Sequence, residues 1–538
     1  MGEQFCRTDR CEESFMTHPR LIETMKKPDF YPHHPAEVEF IQTHISYVFI
    51  AGDIVYKVKK HLQFDFLDFT SLEKRKFYCE EELRLNRRLA PDTYLDVVAI
   101  SRDSQGNFTL DKGAEIIDYA VRMKKLPADR MLKTLLSKGM ADEKIMDAVA
   151  RKIAVFHQQA QTGGHIDEMG DIENIRLNNE ENFAETTKYI NVTVPEYQYK
   201  FIRDYVRKFL TAKKALFAKR VAGHKIRDCH GDLHLDHICI TDDIVIFDCI
   251  EFNERFRCGD VAEDVAFLTM DIDFNGFPRH ADDFVQSYVK YSGDADMLTL
   301  LNFYRCYYAY VRGKVNGFRL AQKEVTKNER AEITKTAAKY FDLAYTYAAR
   351  LDQPVLILTA GLMGSGKSYQ ARTLASRFGA EVIRTDILRK ESFRMEPTDR
   401  RYEDFGRGIY SDDISLLIYN KAFDLAEQKI RQGKPVIIDA SFKRRTERQR
   451  ALDLARNLGI RFYILECVCP DDITKRRLER RVRENNNASD GRWELFQKQK
   501  DEFDAIDEVP DDCHIKIDTS ANPEIKRQDI IRKIKWEE

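Results

Sequence analysis

Apolar and polar positions change their spacing along the chain near residue 350. Before that point, strand-like apolar segments at 45–59 and 95–101 flank a helical pattern at 72–90. Longer helical patterns follow at 141–160, 180–220 and 297–350. This order predicts a two-lobed α+β domain whose second lobe is mostly helical.

Beyond residue 350 the pattern is that of an α/β domain. The segment Asp352-Gln353-Pro354 ends a helix. Short apolar runs then alternate with amphipathic stretches, at 355–359, 381–383, 435–439 and 461–468. This alternation is typical of a parallel sheet covered by helices on both faces. We therefore predict an N-terminal extension over 1–29, a first domain over 30–350 and a second over 351–538.

Composition places the chain among globular proteins with more than one core. Its 538 residues are 43% hydrophobic and 33% charged, with 14 Pro and 24 Gly. The 87 Lys and Arg nearly balance 89 Asp and Glu, so overall charge favours neither a nucleic acid nor an anionic membrane. No apolar run approaches the roughly 18 residues of a membrane helix. The 11 cysteines form no CxxC pair, which favours reduced thiols and a cytoplasmic location.

The most specific motif follows the apolar run at 355–359. Residues 361–368 read GLMGSGKS, which fits the GxxxxGK[ST] phosphate-binding loop, and a helical pattern follows. In such a loop, backbone N–H groups face phosphate oxygens, the lysine reaches the β and γ phosphates, and the final hydroxyl coordinates Mg²⁺. We therefore expect ATP and Mg²⁺ as cofactors, with Ser368 as a metal ligand. The candidate nucleotide-binding residues are Gly361, Gly364, Ser365, Gly366, Lys367 and Ser368.

Three further segments favour phosphoryl transfer at this loop. Asp386 follows an apolar run and can accept a proton from an attacking hydroxyl, while Arg389 holds an anionic group of the acceptor. Asp439 ends another run, as expected of a Mg²⁺ or water ligand. Arg477 and Arg481 lie four residues apart on a predicted helix, where they can neutralise transition-state charge. A helix cap for each acid and a solvated face for the arginines are the alternatives.

Residues 351–535 resemble the small P-loop kinases grouped with the 5′-kinase domain of polynucleotide kinase, zeta toxins and gluconate kinase. The segments that match are GLMGSGKS, TDILR, IIDASFKRR and RLERR. The resemblance implies that Asp386 is a general base toward a hydroxyl and that Arg389 contacts the substrate. Acceptors vary widely across that family, so the resemblance implies no particular one.

A second group of candidate residues lies at 228–252, which reads DCHGDLHLDHICITDDIVIFDCIEF. Two strand-like segments there can bring Asp232 and Asp248 to the ends of a small hairpin, where carboxylates suit base and metal-binding roles. Upstream, Lys57 and Lys59 share one face of a strand, and three glutamates at 80–82 follow on a helix. A lysine held by a helix carboxylate can bind the α and β phosphates of a nucleotide.

These residues resemble the aminoglycoside phosphotransferase branch of the protein-kinase-like fold, through HGDLH and the IFDCIEF strand. The resemblance implies that Asp232 is the catalytic base, that His230 supports its loop and that Asp248 is a metal ligand. It also implies that Lys57 binds phosphate, and we predict Glu80 as its partner, with Glu82 as second choice. Further residues that match this branch are His157, Asp260 and Asp264.

The sequence departs from that branch in two places. The second metal ligand there is an Asn five residues after the base, where this chain has His237, a nitrogen donor less suited to hard Mg²⁺. We expect His237 at the metal, with one-metal chemistry, another metal or lost activity as the consequence. In addition, residues 42–46 replace a glycine-rich loop. Two other interpretations are a Zn²⁺ site at His230, His234 and His237, and a degenerate kinase fold without catalysis.

The order of the two motifs resembles bacterial proteins described as bifunctional aminoglycoside phosphotransferase/ATP-binding proteins. It implies an α+β protein-kinase-like domain followed by an α/β P-loop NTPase domain. The predicted function is an ATP-dependent phosphotransferase with two nucleotide sites and a small-molecule or nucleic-acid hydroxyl acceptor, without a membrane partner or a predicted oligomeric state. The alternatives are a regulatory ATPase or pseudokinase switch, and a nucleic-acid 5′-hydroxyl kinase. The basic residues that suggest the last are Lys443, Arg444, Arg445, Arg448 and Arg450.

Overall fold

The protein is described here by a computed structural model, whose elements fall into two units. One unit is formed by the described residues up to 194 together with 203–344, and the other by 195–202 and the described residues from 345 onward. The predicted boundary at 350 lies at the end of the helix Lys327–Ala349. The described residues are 19–64, 66–113, 115–321, 325–396, 399, 403–404, 406–484, 490–520 and 524–536.

The first lobe of the first unit is an antiparallel six-stranded sheet with the order β1-β2-β3-β8-β6-β7. The segment predicted at 45–59 is a hairpin, because Gly52 turns the chain with φ 63°. The strands are β1 (Val38–Gln42), β2 (Ser46–Ala51), β3 (Ile54–Lys59), β4 (Gln63–Phe64), β5 (Leu67–Asp68), β6 (Tyr94–Arg102), β7 (Phe108–Leu110) and β8 (Glu115–Lys124), of which β4 and β5 form a separate short hairpin.

Two helices complete this lobe. Helix α1 (Pro19–Met25) buries its three apolar side chains in the same core as Phe49 and Tyr56, so residues 19–25 of the predicted extension belong to the lobe. Helix α2 (Leu72–Asn86) begins after Ser71, whose hydroxyl accepts a hydrogen bond from the Lys74 N–H. Helix α2 packs on β8 and β6, and its Glu82 reaches the lysines of β3.

The second lobe is mostly helical, as predicted. The pattern predicted as one stretch at 180–220 is divided among three helices, because Pro195 precedes the second of them and cannot donate a helix hydrogen bond. The helices are α3 (Leu132–Ser137), α4 (Glu143–Gln159), α5 (His165–Met169), α6 (Ile172–Thr186), α7 (Glu196–Ala212), α8 (Lys214–Ala222), α9 (Glu254–Arg257), α10 (Val261–Phe274), α11 (Pro278–Ser292), α12 (Met297–Phe318) and α13 (Lys327–Ala349).

Two short antiparallel pairs lie among these helices and position the chemistry. Strand β9 (Ile226–Asp228) pairs with β12 (Cys258–Asp260). Strand β10 (Ile238–Ile240) pairs with β11 (Ile244–Ile246), which is the small hairpin that the sequence predicts between Asp232 and Asp248.

The second unit is built on a parallel five-stranded sheet with the order β14-β15-β13-β16-β17. Strand β13 is buried at every position, so both faces of the sheet are covered. The strands are β13 (Val355–Ala360), β14 (Glu381–Arg384), β15 (Val436–Asp439), β16 (Arg461–Val468) and β17 (His514–Asp518). The helices are α14 (Lys367–Phe378), α15 (Thr385–Ser392), α16 (Asp412–Arg431), α17 (Arg445–Leu458), α18 (Asp471–Glu484), α19 (Trp493–Asp501) and α20 (Glu524–Trp536).

The fold class is therefore the predicted one, with a two-lobed α+β unit followed by an α/β unit with a parallel sheet. In the part of the chain that the structure describes, every helix is too short or too polar to cross a membrane.

Helix α10 begins with a capping box that contains a carboxyl group of unusual pKa. Glu263 Oε1 accepts a hydrogen bond from the Asp260 N–H at 3.2 Å, and Oε2 accepts one from the Tyr308 hydroxyl at 3.2 Å. Burial and the nearby Asp260 carboxylate raise the pKa of Glu263 to about 8. The folded protein therefore favours the protonated side chain.

The substitution Glu263→Gln should make the protein more stable than the wild type at high pH. Because the folded-state pKa is raised, the stability that protonation supplies is complete below pH 4.5 and is lost as the pH rises through 8. Glutamine stays uncharged, so thermal unfolding at pH 9 should occur about 2 °C or more above the wild type, with little difference at pH 5. A lower unfolding temperature than the wild type at pH 9 would contradict this.

Candidate active sites

The loop between β13 and α14 has the shape that its glycines predict. Gly361, Gly364 and Gly366 adopt φ values of 130°, 77° and 92°, a region that residues with a side chain rarely adopt. A Cβ on Gly361 would also lie 2.4 Å from the carbonyl oxygen of Cys467. The glycines therefore let the backbone curl at the carboxyl end of the buried strand and deliver its N–H groups to the start of a helix.

Polar side chains of this loop fit a bound triphosphate. The buried Ser365 hydroxyl has no hydrogen-bond partner within the described residues, and a phosphate oxygen would supply one. Lys367 Nζ donates to the Leu362 carbonyl oxygen at 2.8 Å, and burial lowers the pKa of this lysine. Ser368 lies in the first turn of α14, where a hydroxyl can reach a phosphate-bound cation.

The two predicted acids lie on the same cavity as the loop. Asp439 ends β15 and accepts hydrogen bonds from Arg384 Nε at 3.1 Å and from the Thr359 hydroxyl at 3.3 Å. Asp386 lies in the first turn of α15. Both line a cavity of about 870 Å³, together with Lys367 and Ser368. Hydroxyl and carboxylate oxygens are the donors that Mg²⁺ prefers, so Ser368 and Asp439 fit this ion.

The predicted arginines also line the cavity, but two are held by the protein itself. Arg389 donates to the Ile409 carbonyl oxygen at 2.6 Å and lies over the Tyr410 ring. Arg477 donates to Thr519 through its hydroxyl at 2.9 Å and its carbonyl oxygen at 2.6 Å. The Thr519 hydroxyl in turn donates to the Ser365 carbonyl oxygen at 2.7 Å, which ties α18 to the loop. Arg481 contributes to the lining from the next turn of α18.

Carboxylates pair with four of the five residues in the basic cluster that suggested a nucleic-acid substrate. The fifth, Arg450, donates to an uncharged amide oxygen and keeps its charge, so most but not all of the positive charge of the cluster is balanced. The pairs are Lys443–Glu502, Arg444–Asp412, Arg445–Asp507, Arg448–Glu508 and Arg450–Asn420.

In the first unit, one buried carboxylate fixes the loop that carries the predicted base. Asp264 accepts hydrogen bonds from the His230 N–H at 2.8 Å and the Gly231 N–H at 2.9 Å. His157 Nε2 lies 3.1 Å from the same carboxylate. A Cβ on Gly231, whose φ is 81°, would lie 2.6 Å from the Phe256 carbonyl oxygen. The loop conformation therefore requires glycine at this position.

His230 supports the loop from inside. Its Nε2 donates to the Phe247 carbonyl oxygen at 3.0 Å, and its Nδ1 accepts from the Asp232 N–H at 3.3 Å. Burial lowers the pKa of His230 to about 4, so the ring is neutral at physiological pH. This contact orients the backbone of the predicted base, and His230 is therefore a positioning residue.

Asp232, His237 and Asp248 lie together in the cleft. His237 Nδ1 donates to the Asp232 carbonyl oxygen at 2.9 Å, and His237 Nε2 lies 3.4 Å from Asp248 Oδ2. Burial raises the pKa of Asp232, but His234 and His237 more than offset it, so the carboxylate stays ionised. Asp248 has a φ of 64°, and its N–H donates to the Tyr94 hydroxyl at 3.1 Å.

The predicted pairing of Lys57 with Glu80 is wrong. Lys57 Nζ lies 2.9 Å from Glu82 Oε1 and 2.5 Å from Asp248 Oδ1. Glu80 lies on the exposed face of α2, 3.8 Å from Lys76. Successive residues of a helix are about 100° apart, so Glu80 and Glu82 point in nearly opposite directions and only one can face β3.

Lys59 and Glu251 were not predicted as parts of this site. Lys59 is fully buried, lies 2.8 Å from Glu82 Oε2 and also pairs with Glu251. Burial opposes the charge of Lys59, but the two carboxylates raise the pKa of its ammonium group above the ordinary value. Lys57 and Lys59 lie two residues apart on strand β3 and therefore share one face, which was the sequence signal that Lys59 could belong to the site.

The zinc interpretation is not supported for the histidines that suggested it. His230 donates a hydrogen bond to the Phe247 carbonyl oxygen. The nearby residues whose ligand atoms lie close enough to share a metal ion are Asp232, His234 and His237, a group that does not include His230. His234 Nδ1 accepts from the Asp236 N–H at 3.3 Å, which leaves its proton on Nε2. In this tautomer His234 donates toward Asp232, 3.6 Å away, and cannot also bind a metal through that nitrogen.

Comparisons with known proteins agree with this arrangement. The profile of the phosphotransferase enzyme family matches residues 80–298, and that of the AAA domain matches residues 356–506. An uncharacterised protein of Mycobacterium tuberculosis is 30% identical over 453 residues, which cover 84% of this chain and 88% of that protein. The chain belongs to the same family. This two-domain family joins a phosphotransferase-type domain to a P-loop kinase-type domain.

Solved structures similar to this chain include kinases. A choline/ethanolamine kinase family protein from Mesorhizobium loti aligns over 60% of this chain and 94% of its own, with 13% identity and a TM-score of 0.36. A gluconokinase from Sinorhizobium meliloti aligns over 35% of this chain and 91% of its own, with 16% identity and a TM-score of 0.24.

Replacing Glu82 and Glu80 separately tests the charge cluster in the phosphotransferase-type domain. Glu82→Gln leaves two buried lysines without their shared anion and should lower the free energy of unfolding by about 3 kcal/mol. The matched control Glu80→Gln removes an exposed charge and should change it by less than about 0.5 kcal/mol. Denaturant unfolding of the full chain measures both, and equal effects of the two substitutions would contradict the assignment.

Proposed function

We propose that the protein is an ATP-dependent phosphotransferase with a nucleotide site in each domain. The observation that carries the proposal is the glycine loop at 361–368, which meets two carboxylates and an arginine helix at one cavity. An anion-binding loop alone explains nucleotide binding. A carboxylate in the same cavity adds a group that can remove a proton from an acceptor, which favours transfer over binding alone.

At the P-loop site, the backbone N–H groups of 361–368 and Lys367 would bind the β and γ phosphates. When bound, Mg²⁺ would neutralise charge on the phosphate oxygens, with Ser368 and Asp439 as its protein ligands. Asp386 would accept the proton of the acceptor hydroxyl. At the same time the hydroxyl oxygen would bond to the γ-phosphorus, and ADP would leave. Arg477 and Arg481 would face the transferring group and stabilise its charge.

The phosphotransferase-type site would work with a parallel set of groups. Lys57 would bind nucleotide phosphate, while Glu82 keeps its ammonium group in place. Asp232 would accept the hydroxyl proton, and its ionised state supports this role. Asp248 and His237 would hold the metal ion that accompanies the nucleotide.

We infer that the acceptor is a small molecule rather than a nucleic acid. Carboxylates pair with four of the five residues in the cluster at 443–450, which weakens the feature that favoured a phosphate backbone. The cavity volume of about 870 Å³ is enough for a nucleotide and a small acceptor together. A screen of sugars, nucleosides, oligonucleotides and proteins with γ-labelled ATP separates these classes. Label released only as inorganic phosphate would instead favour a regulatory ATPase.

Lys367→Ala should abolish most nucleotide turnover by the P-loop domain. The alanine cannot reach the phosphates, so we expect a loss of about 10²-fold or more, as for other charge-stabilising groups. The matched control is Lys498→Ala, which removes an exposed lysine of α19 outside the cavity. Full turnover in the Lys367→Ala chain would refute the assignment of this site.

Asp232→Ala should remove phosphoryl transfer by the phosphotransferase-type domain and leave nucleotide binding largely intact. Measured in a Lys367→Ala chain, the loss should be about 10²- to 10⁴-fold, the usual contribution of a general base. Asp236→Ala is the matched control, because Asp236 is exposed and pairs with Lys133. If transfer persists unchanged without the Asp232 carboxylate, Asp232 is not the base, and if the Lys367→Ala chain transfers no phosphate at all, this domain is a pseudokinase.

A further inference from the structure

Two acceptor atoms face each other in the phosphotransferase-type site. A backbone carbonyl only accepts hydrogen bonds, so the 2.9 Å contact between His237 Nδ1 and the Asp232 carbonyl oxygen places the ring proton on Nδ1. In the neutral ring, Nε2 then presents a lone pair, 3.4 Å from Asp248 Oδ2. Two such atoms attract each other only when a proton on Nε2 or a metal cation lies between them.

The spacing of these atoms suits one bound metal ion. Nitrogen and oxygen ligands lie about 2.0–2.2 Å from a first-row ion, so two neighbouring ligands are about 2.8–3.1 Å apart in an octahedral site and about 3.3–3.6 Å apart in a tetrahedral one. The observed 3.4 Å lies within the tetrahedral range and slightly above the octahedral one, so an ion can bridge the two atoms with little movement of the side chains. The other oxygen of Asp248 is occupied by Lys57, which leaves Oδ2 for the ion.

The surroundings of the pair favour additional positive charge. Two lysines, Lys57 and Lys59, contact three carboxyl groups, and a fourth carboxyl group lies beside His237. The side chains of His237 and Asp248 are 12% and 37% exposed, so an ion can enter from the cleft. The four carboxyl groups are Glu82, Asp248, Glu251 and Asp232.

We propose that this site takes a first-row transition ion such as Mn²⁺ in preference to Mg²⁺, with His237 Nε2 and Asp248 Oδ2 as neighbouring ligands. Imidazole nitrogen is a borderline donor that these ions accept, whereas Mg²⁺ is hard and binds oxygen. The inference rests on the proposed function, because the ion would accompany the nucleotide. This metal preference would distinguish the two sites of the chain, because the P-loop cavity offers oxygen donors from Ser368 and Asp439.

Pulsed electron paramagnetic resonance of Mn²⁺ and ADP bound to the full chain tests the nitrogen ligand directly. Wild-type protein should show ¹⁴N modulation from a bound histidine, and labelling the chain with ¹⁵N-histidine should change it to the ¹⁵N pattern. His237→Asn should remove the modulation. The matched control His224→Asn, at an exposed position outside the site, should keep it. The P-loop cavity has no histidine in its lining and should add no such signal.

Competition between Mg²⁺ and Mn²⁺ provides a second readout. His237→Asn should shift the ratio of the two dissociation constants toward Mg²⁺ by about tenfold or more, and His224→Asn should leave it unchanged. Bound Mn²⁺ without histidine modulation in the wild type, or modulation that persists in His237→Asn, would overturn the inference. ¹⁵N-histidine labelling needs no substitution, so the test holds even if His237→Asn does not fold.

The outcomes also separate this inference from the proposed function. One outcome in a Lys367→Ala chain is Mn²⁺ that binds through oxygen ligands alone and is lost when Asp248→Asn is added. That result would overturn the nitrogen ligand but would agree with a metal site at Asp248. Absence of both ADP and Mn²⁺ binding in that chain would contradict the nucleotide site of this domain, and the inference with it.

Discussion

One buried carboxylate holds the phosphotransferase-type site together. Glu82 binds Lys57 through one oxygen and Lys59 through the other, and these lysines continue to Asp248 and Glu251. The cluster thereby joins strand β3 and helix α2 to the segment after β11. Taking this many charges out of water is unfavourable, and the arrangement persists only because each charge has a partner. Lys57 is therefore held in position for a phosphate only when α2 is rotated about its axis so that Glu82 faces β3.

That rotation explains why the sequence predicted the wrong glutamate. The buried face of α2 is formed by Arg75, Cys79, Glu82, Leu85 and Asn86, which recur about every three or four residues. Most of these residues are polar, so apolar periodicity gives no indication of the helix phase. The sequence could place a carboxylate near Lys57, but the choice among three consecutive glutamates depended on a face that only tertiary packing defines.

The backbone shape of the glycine loop at 361–368 could be predicted from the sequence, for the opposite reason. Its geometry is local, since a buried strand, positive-φ glycines and a helix start follow one another within a few residues. Contacts that close the same cavity from a distance were not predictable. Thr519, which joins Arg477 to the Ser365 carbonyl oxygen, follows the edge strand β17, whose pattern has a single buried position. The basic cluster at 443–450 likewise reads as a phosphate-binding surface until its acidic partners, such as Asp507, which lies 62 residues after Arg445, are known.

We propose that one chain carries two nucleotide sites of unrelated construction, one made by a backbone loop and one by a buried lysine cluster. The stoichiometry of nucleotide binding by the full chain is the decisive measurement. Equilibrium dialysis of the full chain against ADP with saturating Mg²⁺ and Mn²⁺ should approach two nucleotides bound per chain. Saturation at one nucleotide, or at none, would contradict the account.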